Sequence, residues 1–430
     1  MNVPNAWPPA YCVPSCGSCS SGLTAVSLGY TPQVDAFGRL RVSEPYTLFD
    51  SQQRYVLDFS YVSNTASGGS VTYIPTQSSA NLTVTNTTGS YAARETKYVF
   101  TYQPGKSLLI MTTFVMAPAS DSNLRQRVGY FGTDNGFFLE LRDQLYIVQR
   151  SNVTGTIVET SIPQSQWNYD TLTGYGPSGY TLDITKSHIF WIDMEWLGVG
   201  NVRTGFIING QFLVAHIFQH ANFVSSAYIT TAILPVRYEI ESLTSSGPAT
   251  SNLTQICASV ISEGGYDQPL ILFSNIASFS RTMTAGTWYP VVSIRLKAGY
   301  LDGIAQIRQV DVIMTSSDTL HWGLWANVVT GTNLTGGSFV AHASSPLIEI
   351  NSNATAFTTT NCQQIAGGII SGTNQSAASR SLELTKYYSQ IGRNSFTQVS
   401  DIFTLAFYSI PGVAGTPASA QALLSWNELL

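Results

Sequence analysis

The most chemically suggestive feature of the sequence is a pair of carboxylates two positions apart, Asp193 and Glu195. Alternate side chains of a β-strand point to the same face, so in a strand these two carboxylates would be neighbours. Two neighbouring carboxylates can serve as the catalytic pair of a glycosidase. They can equally form ion pairs on a solvated strand face, and Arg203 and Arg237 are the candidate partners.

The run from Trp191 to Gly198 resembles the catalytic strand of laminarinase-type glycoside hydrolases, which are jelly-roll sandwiches. In this resemblance Asp193 corresponds to the assisting aspartate and Glu195 to the acid/base, but Trp191 stands in place of the nucleophilic glutamate. A retaining mechanism needs that nucleophile. The run therefore predicts a concanavalin-like strand whose carboxylates form ion pairs, and it predicts that the protein is not an enzyme.

Three cysteines near the N-terminus form a second candidate site with the spacing C-x3-C-x2-C. Three thiolates at this spacing could hold zinc or an iron–sulfur cluster, with a further ligand from elsewhere. Disulfides within this segment or between subunits, and free thiols, are the alternatives. No bound cofactor is predicted, and the candidate metal ligands are Cys12, Cys16 and Cys19.

Two histidines four residues apart, His216 and His220, have the spacing of zinc ligands on a helix. Ile217 occupies the position of the glutamate in the H-E-x-x-H motif, and the preceding hairpin indicates that the run begins as a strand. We interpret both as structural histidines.

A segment rich in Gly, Tyr and Thr at residues 167–180 has no clear periodicity, which is typical of a long surface loop. Aromatic rings stack on sugar rings, so this loop is a candidate glycan platform. The alternative is that its aromatic side chains are buried at a subunit contact. The four residues are Trp167, Tyr169, Tyr175 and Tyr180.

The composition limits the class of protein that can position these residues. Only 10% of the 430 residues are charged, against about 25% in ordinary soluble proteins, and the net charge is −5. Such a chain is neither a charge-rich disordered protein nor a coiled coil. Its charge argues against a nucleic-acid partner, and no apolar run approaches the length of a membrane span.

Short runs rich in Val, Ile, Thr, Tyr and Phe recur between Gly-rich and Asn-rich turns, which is typical of β-strands. The dipeptide Asn209-Gly210 predicts a two-residue hairpin, and short helices are possible at 298–307 and 418–424. The predicted strands include Val71–Ile74, Asn81–Thr85, Lys97–Tyr102, Leu108–Val115 and Gln211–Phe218.

These elements predict an all-β protein with a jelly-roll or concanavalin-like β-sandwich, a second C-terminal β-sandwich and an extended N-terminal arm. We assign residues 1–50 to the arm and anchoring segment, 51–290 to the main sandwich and 291–430 to the second sandwich. A Pro-rich arm without periodicity buries little apolar surface by itself and would dock on a neighbouring surface.

Charge is concentrated in a run from Asp35 to Pro45, Asp-Ala-Phe-Gly-Arg-Leu-Arg-Val-Ser-Glu-Pro, which precedes Leu48-Phe49-Asp50-Ser51. This run resembles the start of virion structural proteins of tailed phages, notably phages of cyanobacteria, and the resemblance continues to about residue 270, through Trp191–Gly200. Alternate residues of the run share a strand face and could pair with a neighbouring subunit. The candidate assembly residues are Asp35, Arg39, Arg41 and Glu44.

The resemblance implies a non-enzymatic structural component of a phage particle, assembled in the host cytoplasm and located in the virion. Polar, weakly charged β-surfaces suit extensive subunit packing, because every buried ion needs a partner. We expect a homo-oligomer, with a trimer favoured, on the exterior of the particle as a capsid decoration, a fibre or a tail or baseplate piece. Its partners would be copies of itself and other virion proteins. The alternative is an adhesin that binds host surface glycans through the jelly-roll domain.

Overall fold

Most of the described chain is β-strand. The computed structural model describes residues 44–118, 123–245, 247–265, 271–372, 379–383, 389–410 and 418–429. Within these ranges there are 29 strands and two short 3-10 helices, Gln164–Gln166 and Ala298–Tyr300. No helix in these ranges is long and apolar enough to cross a membrane. The predicted all-β class is confirmed.

The first fifteen strands form a sandwich of two antiparallel sheets. Their bounds are β1 (Tyr46–Gln52), β2 (Tyr61–Ala66), β3 (Ser70–Ile74), β4 (Ser79–Thr85), β5 (Tyr91–Thr96), β6 (Leu108–Val115), β7 (Leu124–Phe131), β8 (Gly136–Leu141), β9 (Leu145–Ser151), β10 (Val158–Pro163), β11 (His188–Met194), β12 (Val202–Ile208), β13 (Gln211–Phe218), β14 (Val236–Ser242) and β15 (Thr250–Ser262). One sheet has the order β13-β12-β11-β6-β15-β4-β3, with β1 also paired to β15, and the other has the order β10-β9-β8-β7-β14-β5-β2.

Alternation of side chains along the strands explains why these two sheets pack together. In β4, Ala80, Leu82 and Val84 are fully buried, whereas Asn81 and Thr83 between them are partly exposed. Burial of each Leu or Val side chain contributes roughly 1.5–3 kcal/mol. The inward-facing side chains of both sheets form one continuous core, which includes Ile110, Phe114, Val128, Tyr130, Leu139 and Tyr238.

The predicted hairpin is confirmed at residues 208–211. Ile208 pairs with Gln211 across a two-residue turn that joins β12 to β13. Asn209 and Gly210 have φ of 51° and 76°, the left-handed values that this turn requires. Because Asn and Gly tolerate these values, the turn fixes the register of the two strands.

The remaining strands form a second sandwich. Their bounds are β16 (Ile271–Arg281), β17 (Trp288–Leu296), β18 (Ile304–Met314), β19 (Thr319–Val328), β20 (Leu334–Thr335), β21 (Val340–Ala341), β22 (Ile348–Asn351), β23 (Ala356–Phe357), β24 (Gln363–Ser371), β25 (Ser379–Glu383), β26 (Arg393–Asn394), β27 (Val399–Ser400), β28 (Ile402–Ser409) and β29 (Ala418–Leu429). Its sheets have the orders β16-β29-β18-β25 and β21-β22-β17-β28-β19-β24, and two strand pairs, β20-β23 and β26-β27, lie outside them.

The strands at both ends of the first sandwich do not follow the predicted ranges. β1 begins at Tyr46, inside the range assigned to the arm, and pairs with β15. β16 lies within residues 51–290, assigned to the main sandwich, yet it pairs with β29 along its whole length from Ile271 to Arg281. β15 ends the first sandwich at Ser262, so the change of sandwich falls before Ile271.

Three local predictions are wrong. Residues 298–307 contain only one 3-10 turn before β18 begins, and residues 418–424 open strand β29 rather than a helix. In β29, Ala418, Ala420 and Ala422 are buried at a period of two, because they face the core of the second sandwich. Residues Lys97–Tyr102 form only one isolated bridge, between Phe100 and Leu234.

The segment after β5 is not a strand because its polar groups bind the second sandwich. The Lys97 ammonium donates to Asn327 Oδ1 at 2.7 Å, and Gln390 Nε2 donates to the Val99 carbonyl at 3.2 Å. The backbone N–H of Arg393 donates to the Lys97 carbonyl at 2.9 Å. The two sandwiches therefore meet along a hydrogen-bonded seam, and residues 44–430 form one compact unit.

A buried carboxylate lies at the centre of this seam. Glu95, at the end of β5 and 1% exposed, accepts from Arg237 of the first sandwich at 3.1 Å and lies 2.9 Å from Arg393 Nη1 of the second. Arg393 also donates to Asp302 at 2.8 Å and to the Thr96 carbonyl at 2.9 Å. Since a buried ion needs a partner, Glu95 couples the position of each sandwich to that of the other.

We predict that Glu95→Gln lowers the free energy of unfolding by about 1.5–3 kcal/mol, because it removes one of the two anions that hold each of two buried guanidinium groups. The matched control is Glu349→Gln, which removes a carboxylate from the more exposed pair with Arg295 at 2.9 Å and should cost no more than about 1 kcal/mol. Denaturant unfolding of both variants measures the difference. An equal decrease in the free energy of unfolding for the two variants would contradict the role given to Glu95.

Candidate functional site

The predicted glycan platform at 167–180 is a loop, but its four aromatic residues do not form one surface. Trp167 is only 4% exposed, its indole N–H donates to the Ile162 carbonyl at 3.2 Å, and its ring stacks on Phe206. Trp167 is therefore a core residue and cannot serve as a sugar platform, which corrects the prediction for this position.

The other three aromatic residues of this loop are more accessible. Tyr175 is 97% exposed and Tyr169 is also exposed. Tyr180 is partly buried against the core, and its hydroxyl accepts a hydrogen bond from Asn209 Nδ2 at 3.1 Å. Two phenol rings, at 169 and 175, are thus left free to stack on a ligand.

The loop is held in shape by Asp170. Its carboxylate accepts from the backbone N–H groups of Leu172 and Ser178, both at 2.8 Å. Burial opposes ionisation, but these hydrogen bonds outweigh it and lower the pKa of Asp170. A side chain at Gly176 would place its Cβ 1.9 Å from Asp170 Oδ1 and would displace this carboxylate from its hydrogen bonds. The exposed tyrosines are therefore carried on a braced loop.

The carboxylate pair of the central run is arranged for ion pairing. Asp193 lies opposite Arg203 on the neighbouring strand β12 and accepts from its Nε at 3.0 Å and from its Nη2. β11 ends at Met194, so the exposed Glu195 is not on the strand with Asp193. Trp191, at the position of the missing nucleophile, is buried. The predicted ion pair with Arg203 is confirmed, whereas Arg237 has other partners.

The two histidines occupy different environments and do not form a joint site. His216 Nδ1 accepts from the Asn168 backbone N–H at 3.2 Å, and burial lowers its pKa to about 4. His220 has its ring nitrogens 2.7 Å from the Gly200 carbonyl and 2.8 Å from Gln149 Oε1, and it stacks on Tyr228. Both contribute to the packing, as predicted.

Among the described residues, a concentration of charge lies on the outer face of the sheet that contains β7 and β14. Its floor consists of Phe131 and Phe138, whose rings lie 4.5 Å apart. Guanidinium groups cover these rings, with Arg150 at 5.5 and 5.1 Å from the two ring centres. Carboxylates join the guanidinium groups into a network that includes Glu95, Arg127, Glu140, Arg150, Glu159, Arg237, Glu239 and Arg393.

Within this network Glu239 is held in its ionised form. Burial opposes ionisation of Glu239, but Arg237 and Arg127 outweigh it and lower the pKa of this carboxyl. Arg237 lies 2.7 Å from Glu239, and Arg127 donates to Glu239 at 3.2 Å. A carboxylate held by two guanidinium groups is a poor general acid or base, because its proton affinity is low near neutral pH. The network is structural.

Several predicted residues lie outside the described part of the chain. Of the candidate assembly residues, Glu44 is described, and it is exposed just before β1. In the described ranges no three His, Cys, Asp or Glu side chains are grouped as a metal site, and Cys257 and Cys362 are free thiols. The residues outside these ranges are Cys12, Cys16, Cys19, Asp35, Arg39 and Arg41.

A cleft of about 540 Å³ at the seam between the two sandwiches was not predicted. The loop before β2 supplies Asp58 and Phe59, and the second sandwich supplies Asn327, Gln363 and Gln364. Phe59 is 70% exposed. No local pattern in the sequence could have identified this cleft, because its walls come from residues that are hundreds of positions apart.

Comparisons with known proteins give similarity in fold only. A scan of protein-family models and a search of curated proteins both return no match. Among solved structures, the CBM2 module of an evolved Dit protein from Lactobacillus casei BL23 phage J-1 matches at 7% identity over 53% of this chain and 100% of that chain, with a TM-score of 0.35.

Two plant proteins match at a similar level. Lectin II from Ulex europaeus matches at 11% identity, covering 50% of this chain and 97% of that chain, with a TM-score of 0.31. Arcelin-5, a lectin-like defence protein from Phaseolus vulgaris, matches at 10% identity, covering 51% and 99%, with a TM-score of 0.31. At these TM-scores the similarity does not indicate the function of this chain.

We predict that His216 makes the protein less stable in acid. The unfolded chain takes up a proton on this histidine near pH 6.5, whereas the folded protein does so only near pH 4. The unfolded state therefore binds more protons in this window, and stability falls as the pH is lowered through it. After solvent screening is allowed for, the loss is roughly 1–2 kcal/mol.

The variant His216→Asn tests this prediction, because its side-chain oxygen can still accept from the Asn168 N–H while it cannot titrate. The free energy of unfolding should fall less steeply between pH 6.5 and pH 4 in the variant than in the native protein. Identical pH profiles for the two proteins would show that folding does not lower the pKa of His216 and would contradict the prediction.

Proposed function

We propose that the protein is a non-enzymatic structural component of a virus particle that assembles with copies of itself on the particle's exterior. The virion part of this proposal is supported by the resemblance of the runs at Asp35–Ser51 and Trp191–Gly200 to phage structural proteins. The assembly part is supported by one edge strand of the second sandwich, β16.

β16 has the properties of a strand that pairs with another chain. It lies at the edge of its sheet and pairs only with β29 among the described strands. Over its eleven residues it carries a single charge, on Arg281 at its end. Exposed edge strands normally carry charges or are short, because a long uncharged edge recruits other strands. We infer that this edge is covered by a neighbouring copy.

Exposed apolar side chains on β16 support the same inference. Leu272 and Ile276 point away from the core, and Ile276 is 68% exposed. In the same strand Ala277 and Phe279 face the core and are buried. A strand that has exposed apolar side chains and an edge that pairs with no other described strand can gain both hydrogen bonds and apolar burial from a partner.

The expected trimer restricts how β16 can pair. A pairing of β16 with its own copy would be isologous and would close a dimer. A trimer instead requires that β16 meets a different surface of the neighbouring subunit, so that each contact is heterologous and the ring closes after three copies. The mass of the oligomer therefore distinguishes the two arrangements.

The proposal includes no catalytic role. Asp193 is held by Arg203, and Trp191 fills the position at which the resemblance would require a nucleophile. The remaining buried carboxylates of the first sandwich's outer face are bound by guanidinium groups.

We predict that Ile276→Lys lowers the oligomeric state, because a charge on the edge strand prevents strand pairing. The control is Ile157→Lys, which places the same charge on an exposed isoleucine outside β16. Exposed positions tolerate such changes within roughly 0.5 kcal/mol, so both variants should fold. Sedimentation equilibrium measures the mass of each.

The proposal is contradicted if the native protein is a monomer, or if both lysine variants keep the native mass. Mass spectrometry of purified virus particles tests the virion part separately. Absence of the protein from particles would refute that part even if the oligomer forms.

A second candidate function is an adhesin for host surface glycans, favoured by the exposed rings of Tyr169 and Tyr175 on the loop that Asp170 braces. A braced loop loses little conformational entropy when it binds, which favours recognition of a weakly binding sugar. Binding of host polysaccharide that is lost in Tyr175→Ala would identify this loop as the site.

A further inference from the structure

The cleft between the two sandwiches has a rim that is held rigidly in place. The backbone N–H of Asp58 donates to Gln53 Oε1 at 2.8 Å, and the Asp58 carboxylate accepts from the Ser60 N–H at 2.8 Å and from the Ser51 hydroxyl. Arg94, almost fully buried, donates to the Asp58 carbonyl at 3.0 Å. Phe59 is therefore exposed on a fixed turn.

The opposite wall is fixed by the seam itself. Lys97 Nζ lies 2.7 Å from Asn327 Oδ1 and 3.7 Å from the Asp401 carboxylate, so it joins the two sandwiches at the base of the cleft. The exposed carboxamides of Gln363 and Gln364 lie on the same side, at the start of β24. Clefts at domain junctions are frequent ligand sites.

The charge of the lining selects the class of ligand. Two carboxylates of the lining, Asp58 and Asp401, accompany one ammonium, Lys97, so these three groups together carry a formal charge of −1. This disfavours phosphates, sulfates and uronic acids. Carboxamides and carboxylates supply both donors and acceptors for hydroxyl groups, and an exposed phenyl ring offers the apolar face on which a pyranose stacks.

We propose that this cleft binds a neutral saccharide. Phe59 stacks on a sugar ring, and Asp58, Gln363 and Gln364 hydrogen-bond to its hydroxyl groups. The site shares no residue with β16 or with the loop at 167–180, so it is independent of the assembly proposal and of the adhesin candidate's tyrosines.

The test is a binding measurement on the full-length protein with a panel of neutral and acidic oligosaccharides, at ligand concentrations up to ~1 mM. We expect binding of at least one neutral oligosaccharide and a loss of about tenfold in affinity for Phe59→Ala. Phe223→Ala, which removes a phenyl ring of similar exposure, 75% against 70% for Phe59, but outside the cleft, should bind as the native protein does. Sedimentation should show the native oligomer for both variants.

Three results would overturn the proposal. One is that no neutral oligosaccharide binds, and another is that Phe59→Ala binds as tightly as the native protein. The third is that acidic sugars bind more tightly than neutral ones. Loss of binding in Tyr175→Ala alone would place the sugar on the loop at 167–180 instead. Gln363 is also exposed, so Gln363→Ala serves as a second variant if Phe59→Ala folds poorly. We expect Gln363→Ala to bind the neutral oligosaccharide more weakly than the native protein does.

Discussion

A buried carboxylate, Glu95, lies at the centre of the seam that joins the two halves of this molecule. It is shared by Arg237 of the first sandwich and Arg393 of the second, and removal of either cation would leave a buried anion partly unpaired. The seam hydrogen bonds of Lys97 and Gln390 depend on the same registration of the two sandwiches. The cleft beside Phe59 exists only because this registration is fixed, since its walls come from both halves.

The low charge content of the chain has a physical explanation in this arrangement. Many of its few ionised side chains are paired inside the molecule, on the outer face of one sheet and along the seam. The edge strand β16 carries a single ionised side chain, Arg281. A neutral outer edge lowers the desolvation cost of covering it with another subunit, because no ion has to leave water. Internal pairing and neutral edges together suit a protein that functions in an assembly.

The sequence was sufficient where the structure depends on local alternation. β6 and β13 have the predicted bounds, and the Asn209-Gly210 turn follows from backbone conformation alone. The sequence was insufficient where contacts with distant residues determine the conformation or the burial of a segment. Lys97–Tyr102 has a strand-like composition, but its polar groups bind the second sandwich, and Trp167 is buried against Phe206 of β12. The exposure of Phe59 depends on a turn braced by Arg94, which no periodicity indicates.

The central claim is that the outer edge of β16 is covered by another copy of the chain. Hydrogen–deuterium exchange on the full-length protein tests it directly, with peptides that span Ile271–Arg281. The account predicts that amides of β16 pointing away from β29 are protected at concentrations where the oligomer persists, and that they lose this protection when dilution separates the subunits. Rapid exchange of these amides at every concentration, while those bonded to β29 stay protected, would contradict it.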